Sequence, residues 1–214
     1  MSILGAAWIA AVARLGGDAG AATVSADELD RRYGEPRRVY HNAAHVEAML
    51  RDTAQLAPAA GLDTASAALV TLAVCAHDVV YDGRPGEDER ASAAWARDRL
   101  TTLGLPAGYA ERVDALVQST ADHASDPHDV ARSVLNDADL AILAAPPEEY
   151  RAYTEAVRRE YRELDDAQWT PGRSAALSSL LRMPRLYVTE IAHARWEDAA
   201  RANVQAELDE LGRG

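Results

Sequence analysis

The stretch LVTLAVCAHD, residues 69–78, ends a long apolar run on a histidine followed by an aspartate. The apolar side chains of residues 69–76 are typical of a helix buried in a protein core. An ionised aspartate in such a place costs several kcal/mol unless it is paired or bound to a metal. The stretch therefore predicts a core helix that ends at a functional site, and the alternative is that Asp78 lies at a helix end exposed to water.

Two further histidines, His41 and His45, lie upstream and are four residues apart. On a helix this spacing places both rings on one face. Zinc enzymes with an H-E-x-x-H motif share the spacing, but here Asn42, Ala43 and Ala44 stand between the histidines and the glutamate is missing. By itself the pair also fits a capped helix start with one packed imidazole.

A third polar segment, residues 136–140, offers two carboxylates, Asp137 and Asp139. A helix turns about 100° per residue, so these two side chains point about 200° apart. We expect Asp139 to face the core with Leu135 and Ile142, and Asp137 to face solvent or a polar neighbour. Imidazole and carboxylate groups bind first-row divalent metals, and a bound metal can turn water into a nucleophile.

The composition sets broad limits on the fold and on the partners. A chain of 214 residues that is 48% hydrophobic can form one sizeable core, so we expect one domain over residues 1–214. The net charge of -12 argues against a broad nucleic-acid-binding surface. Cys75 is the only cysteine, which fits a reducing cytoplasm. No segment is apolar for long enough to predict a membrane span.

Local signals predict an all-α fold, because period-two strand patterns are absent and helix-forming residues dominate. Residues 25–28 read as a capping box that starts a helix, and a second helix is expected over residues 42–56. Asp126-Pro127 is expected to start another helix. Pro171-Gly172 and Pro184 are expected to bracket a further one.

The order of His45, His77-Asp78 and Asp139 resembles the HD superfamily of metal-dependent phosphohydrolases. More narrowly, the chain resembles a bacterial subgroup of predicted HD-superfamily phosphohydrolases, and the resemblance spans nearly the whole chain. It implies a single-domain helical HD-domain fold with the metal site between core helices. The matching stretches are residues 33–45, 76–82, 88–93, 137–143, 159–161 and 200–203.

The resemblance also implies roles for individual residues. His45, His77, Asp78 and Asp139 would bind a divalent metal ion, and Mn, Fe, Co, Ni, Zn or Mg would each suit this ligand set. Asp78 is thereby a catalytic residue as well as a ligand. The string around His41 is similar to that of cyclic-nucleotide phosphodiesterases, which implies that His41 protonates the leaving oxygen. A structural histidine or an additional ligand is the alternative for His41.

Four other residues are weaker candidates. The motifs with which related enzymes continue toward a second metal are missing, so the number of bound ions, one or two, is left open. His123 is a candidate ligand of a second ion or a candidate contact of the substrate phosphate. Glu89 could accept a proton or hold a ligand histidine, or it could simply favour a helix start. Arg37 and Arg38 could bind phosphate, or they could be exposed arginines.

These features together with the resemblance predict a cytoplasmic phosphohydrolase that uses metal-activated water, and the resemblance alone implies a nucleotide or another small phosphoester as the substrate. Two alternatives remain open at the level of sequence. One is a di-iron oxygenase of the HD type, with His123 as a further ligand. The other is a non-catalytic sensor that binds a metal and a nucleotide. The expected partner is a small phosphorylated substrate, no membrane contact is expected, and the oligomeric state stays open.

Overall fold

A computed structural model describes residues 1–124 and 126–213 and confirms the all-α prediction, since the described residues form ten α-helices and no strand. Two short 3-10 turns, Ser119–Ala121 and Leu140–Ala144, follow α6 and α7. The helices are α1 (Ile3–Arg14), α2 (Ala22–Tyr33), α3 (Ala43–Ala59), α4 (Thr64–Ala76), α5 (Glu87–Thr102), α6 (Ala107–Gln118), α7 (Val130–Asp139), α8 (Pro147–Glu160), α9 (Asp166–Arg182) and α10 (Glu190–Leu211).

Helix α4 lies at the centre of the hydrophobic core, as its apolar sequence predicts. It packs against α1, α3, α6 and α7, and its residues from Leu72 to Ala76 have no exposed surface. Asp63 caps its start, because the carboxylate accepts a hydrogen bond of 2.7 Å from the backbone N–H of Ser66. His77 follows directly at the other end of α4 and is buried in the interior of the protein.

Helix α3 brings a second histidine to the same region. Asn42 caps the helix by accepting a 2.9 Å hydrogen bond from the N–H of Ala44, so α3 begins at Ala43. This start agrees with the prediction, although the helix runs on to Ala59. Because α3 packs against both α4 and α7, His45 in its first turn lies between the ends of those two helices.

The predicted capping box at residues 25–28 is wrong. Helix α2 begins at Ala22, and Ser25 lies inside it. The hydroxyl of Ser25 donates to the carbonyl of Ala22 at 3.0 Å and accepts from Trp8 Nε1 at 2.9 Å. Ser25 therefore joins α2 to the buried indole of α1, a tertiary role that a local capping pattern does not reveal.

Two proline predictions are also wrong. Helix α7 begins at Val130 with Asp129 as its cap, beyond Asp126-Pro127. Pro171 and Gly172 lie within α9, which starts earlier, at Asp166, where Asp165 and Gln168 form a capping box. A proline inside a helix removes one backbone hydrogen bond and crowds the preceding turn, which is why a break was expected there; the capping box instead starts the helix five residues before Pro171.

Helix α9 is the least embedded of the long helices. Leu177 is its one buried residue, and its main packing partner is α10. No helix within residues 1–124 and 126–213 combines the length and the apolar character needed to cross a bilayer.

Candidate metal centre and cavity

The ends of α3, α4 and α7 meet at a cluster of polar side chains. His45, His77 and Asp139 each offer one potential ligand atom, and these atoms lie within 4.8 Å of one another. Asp139 Oδ1 is 3.1 Å from His45 Nε2 and 3.8 Å from His77 Nε2. The fold thus brings together the three separate segments that the sequence marked as candidates.

Asp78 completes the group of four candidate ligands. Its Oδ2 lies 3.1 Å from His77 Nε2. Its backbone is held on both sides, since its N–H donates to the Tyr33 hydroxyl at 3.1 Å and its carbonyl accepts from Arg38 Nη1 at 2.6 Å. The side chain is largely buried, with 15% of its surface exposed, which excludes the water-exposed helix end considered above.

His77 has the orientation of a metal ligand. Its Nδ1 lies 2.9 Å from the carbonyl of Val74, and because a carbonyl only accepts, Nδ1 carries the proton. When the ring is neutral, Nε2 is then the nitrogen with the free lone pair; it is buried and lies 3.1 Å from Asp78 Oδ2, but no contact to a described residue has hydrogen-bond geometry. A cation bound at Nε2 would replace the second ring proton. Metal-binding histidines typically donate their second ring N–H to a carbonyl or a carboxylate. The residues present therefore fit a bound cation.

The electrostatics of the cluster also favour a cation. Burial opposes a charged His77, but Asp78 and Asp139 outweigh it and raise the pKa of His77 to about 9. Burial likewise opposes ionised carboxylates, yet the neighbouring histidines hold the pKa of Asp78 and the pKa of Asp139 below their usual range. Two buried anions thus demand positive charge nearby, which a divalent metal would supply.

Asp139, and not Asp137, points to the histidines, as predicted from the helical turn. Asp137 has no exposed surface and accepts hydrogen bonds from the N–H groups of Val188 and Thr189, both at 2.8 Å. The Thr189 hydroxyl donates to it at 2.6 Å. Asp137 therefore contacts a polar neighbour rather than solvent, and it fixes the start of α10 against α7.

His41 lies beside the cluster and is held by a carboxylate that the sequence analysis did not single out. His41 Nδ1 is 2.6 Å from Glu160 Oε2, at the end of α8. The other oxygen, Oε1, accepts from the N–H groups of Val39, Tyr40 and His41 at 2.7, 2.8 and 3.0 Å. The Tyr81 hydroxyl also donates to Oε2, at 3.0 Å. Glu160 therefore fixes both the ring and the backbone of the His41 segment.

This contact leaves Nε2 of His41 free for a ligand. The imidazole stacks on the Tyr81 ring at 4.3 Å between centroids, and 22% of the His41 side chain is exposed. Burial raises the pKa of Glu160, but the hydrogen bonds from His41 and from the backbone outweigh it and bring the pKa below its ordinary value. A carboxylate, an oriented imidazole and a free ring nitrogen form the arrangement that catalytic dyads use.

The position of Glu160 in its helix is a weak sequence signal for such a contact. Glu160 is the last residue of α8, where the negative end of the helix dipole disfavours an acidic side chain. An acidic residue at such a position needs a specific partner. That signal could have marked Glu160, but its partner His41 lies 119 residues away and could not be read from the sequence.

The structure does not support the predicted phosphate contact of Arg38. Only 1% of its side chain is exposed. Its guanidinium donates to the carbonyls of His41, Asp78 and Val79 at 3.1, 2.6 and 3.0 Å. These three contacts join the His41 loop to the His77-Asp78 turn, and Arg38 is not among the residues that line the neighbouring cavity.

Arg37 also lies away from the cavity, so its predicted phosphate contact is not supported. It is half exposed and pairs with Glu35 at 2.8 Å and with Asp82 at 2.9 Å. Glu89 does line the cavity, but its carboxylate accepts the N–H of Gly86 and caps α5. The helix-start alternative therefore describes the contacts of Glu89, and its proposed proton transfer remains a prediction.

His123 lies next to the cluster and contacts the second oxygen of the Asp139 carboxylate. His123 Nε2 is 2.9 Å from Asp139 Oδ2, while Oδ1 of the same carboxylate faces His45. With a φ of 50°, His123 is the single non-glycine residue with positive φ among those the structure describes. Such backbone conformations are sparsely populated and are frequent at functional sites. His128 is exposed and lies away from the cluster.

A cavity of about 820 Å³ extends from this cluster between α8 and α9. Asp78, Asp139, His41 and His123 lie at one end of it. The volume falls in the range of pockets that hold small organic ligands. Aromatic side chains form much of the wall: Tyr40, Tyr81, Tyr153, Tyr161 and Trp169.

Comparison of the chain with models of known protein families, with curated proteins and with solved structures gives no match. The chemistry of the cluster and of the cavity is therefore what bears on function.

Proposed function

We infer that this chain is a metal-dependent phosphohydrolase that cleaves a small phosphoester in the cavity beside Asp78 and Asp139. The observation that carries the proposal is His77 Nε2, a buried nitrogen without a hydrogen-bond partner that faces two carboxylates at the cavity end. Two imidazoles and two carboxylates suit Mn, Fe, Co, Ni, Zn or Mg. The order of these residues in the chain, which resembles that of HD phosphohydrolases, supports the same reaction class.

A divalent ion held by His45, His77, Asp78 and Asp139 would lower the pKa of water and offset negative charge on the phosphoryl oxygens. His45 and His77 are buried and fixed, so they would hold their nitrogens in place without rearrangement. The two carboxylates supply the negative charge that makes the site selective for a cation.

In this proposal His41 donates a proton to the leaving oxygen. As the new bond from water to phosphorus forms, the bond from phosphorus to the leaving oxygen breaks, and Nε2 of His41 delivers its proton to that oxygen. Glu160 keeps the proton on Nδ1 and stabilises the charged ring before transfer. The proton that water releases then restores His41, and the products are an alcohol and inorganic phosphate.

Phosphate release from a panel of nucleotides and simple phosphomonoesters, with each candidate metal, tests this proposal. We expect metal-dependent hydrolysis that is lost in His77→Ala and retained in His128→Ala, since His128 is exposed and outside the cluster. Full metal occupancy without turnover of any phosphoester would contradict hydrolysis and favour the sensor alternative.

One observation favours a second candidate, a di-iron oxygenase. Asp139 faces His45 with one oxygen and His123 with the other, and a carboxylate between two sets of donors can bridge two ions. Metal analysis of the purified protein separates the candidates. Two irons per chain with oxygen consumption would favour the oxygenase, whereas hydrolysis supported by a redox-inert ion such as Mg²⁺ or Zn²⁺ favours the phosphohydrolase.

A further inference from the structure

The cavity wall has two unlike parts. Asp78 and Asp139, two of the four candidate metal ligands, line one part together with His41, and mostly aliphatic and aromatic side chains from α8, α9 and the segments after them line the other. Tyr161 and Trp169 face each other there with ring centroids 5.0 Å apart. Leu180 on α9 and Met183, directly after that helix, also line this part of the wall. An apolar wall of this kind stabilises an apolar ligand by removing its surface from water.

The charged groups on the cavity wall are mostly negative. Among the described residues that line it, five are acidic and two are arginines, against the background of a net charge of -12 for the chain. One divalent ion would offset only part of this charge. The acidic residues are Asp78, Asp88, Glu89, Asp122 and Asp139, and the arginines are Arg84 and Arg173.

Both arginines already have carboxylate partners. Arg173 binds Glu207 through two contacts, of 2.7 Å from Nε and 3.0 Å from Nη2, and only 11% of its side chain is exposed. Arg84 pairs with Asp82 at 2.8 Å. Sites that bind diphosphates or triphosphates instead present free arginines, lysines or backbone N–H groups to the extra phosphates. A second phosphate group would therefore meet carboxylates in this cavity.

Building on the proposed hydrolysis, we propose that the substrate bears a single phosphate on an uncharged alcohol with an apolar or aromatic body, and that the cavity rejects diphosphates and triphosphates. The phosphate contacts the metal end, and the body lies along the wall of Tyr161, Trp169 and Met183. Trp169 is thereby a specificity-determining residue, because it has the largest aromatic side chain on that wall.

Calorimetric titration with phosphonates that cannot be hydrolysed tests this specificity separately from turnover. The probes are 2-naphthylmethylphosphonate, methylphosphonate and the β,γ-methylene analogue of adenosine triphosphate, each titrated with and without Mn²⁺ at a fixed free concentration. We expect the naphthyl compound to bind at least about tenfold more tightly than methylphosphonate under both conditions, because the added affinity comes from burying its rings. The triphosphate should bind at least about tenfold more weakly than the naphthyl compound.

Two tryptophan variants test whether the preference for the naphthyl compound depends on Trp169. Trp169→Ala should lower the naphthyl-to-methyl affinity ratio about fivefold, the order expected for the loss of one aromatic contact. Trp196→Ala is the matched control, since Trp196, which belongs to α10, packs against Tyr187 and does not line the cavity. It should leave the ratio unchanged. The wild-type titrations decide the proposal even if either variant fails to fold.

The outcomes separate this specificity from the proposed reaction. Equal affinity for the two phosphonates, or tighter binding of the triphosphate, overturns the specificity even if phosphoesters are hydrolysed. A naphthyl preference in a protein that hydrolyses no phosphoester supports the specificity and contradicts the proposed hydrolysis.

Discussion

Glu160 Oε2 lies 2.6 Å from His41 Nδ1, although the two residues are 119 positions apart in the chain. The same carboxylate accepts three backbone N–H groups from residues 39–41. One side chain of α8 thus fixes the conformation, the tautomer and the direction of the imidazole next to the candidate metal site.

We expect Glu160→Gln to lower turnover about 10²-fold or more while metal content stays unchanged. An amide can still accept the backbone hydrogen bonds, but it no longer stabilises a charged imidazole, which is the main role of such a carboxylate. Glu163→Gln is the control, because 88% of the Glu163 side chain is exposed. Wild-type activity in Glu160→Gln would show that the contact is structural only.

The role of His41 as a proton donor predicts a dependence on the leaving group. His41→Ala should retain the metal and lower turnover of an alkyl phosphate by about 10²–10⁴-fold, the usual range for lost proton transfer. The loss should be much smaller for a nitrophenyl ester, whose leaving group needs no proton. An equal loss for both esters would remove the acid role, and loss of the metal would make His41 a ligand.

The neighbours Arg37 and Arg38 should differ sharply in their effect on stability. Replacing Arg38 by Met leaves the buried carbonyls of His41, Asp78 and Val79 without a donor, so the free energy of unfolding should fall by about 2–4 kcal/mol. Arg37→Met removes two exposed ion pairs, to Glu35 and Asp82, and should cost less than about 1 kcal/mol. Denaturant titration of both variants measures the difference, and similar losses would contradict this assignment.

A buried carboxylate outside the site predicts a pH-dependent contribution to stability. Burial raises the pKa of Glu197, but the N–H groups of Leu186 and Tyr187 together with Arg201 outweigh it and lower the pKa below 4.5. A lowered pKa in the folded state contributes stability above the unfolded pKa, and this contribution is lost as the pH falls through the folded pKa.

Glu197→Gln should therefore lower the free energy of unfolding by about 1–3 kcal/mol at pH 7, and the difference from wild type should shrink as the pH falls below 4.5. Asp198→Asn is the control on the exposed face of the same helix. A difference that stays constant across this pH range would exclude the ionised Glu197 as its source.

The sequence predicts features that depend on nearby residues. Asn42 is followed by a helical pattern, and it caps the helix that was expected to begin there. The helical turn alone separates Asp139 from Asp137. These predictions succeed because a cap or a helical face involves only a few neighbouring positions.

Features that depend on distant residues were not predictable. Arg37 and Arg38 are adjacent and chemically identical, and only the fold decides which guanidinium is buried against the carbonyls of Asp78 and Val79. Ser25 matches a capping pattern, but the indole of Trp8 uses its hydroxyl within a helix instead. Tertiary contacts of this kind override local preference.

The central claim is that His45, His77, Asp78 and Asp139 hold a divalent ion at the end of the cavity. The most direct measurement is a crystal structure of the protein loaded with Mn²⁺ or Zn²⁺, with anomalous diffraction recorded at the metal edge. We predict an anomalous peak bonded to these four side chains at about 2.0–2.3 Å, and its loss in His77→Ala. A fully loaded protein whose anomalous peaks all lie away from these residues would contradict the claim.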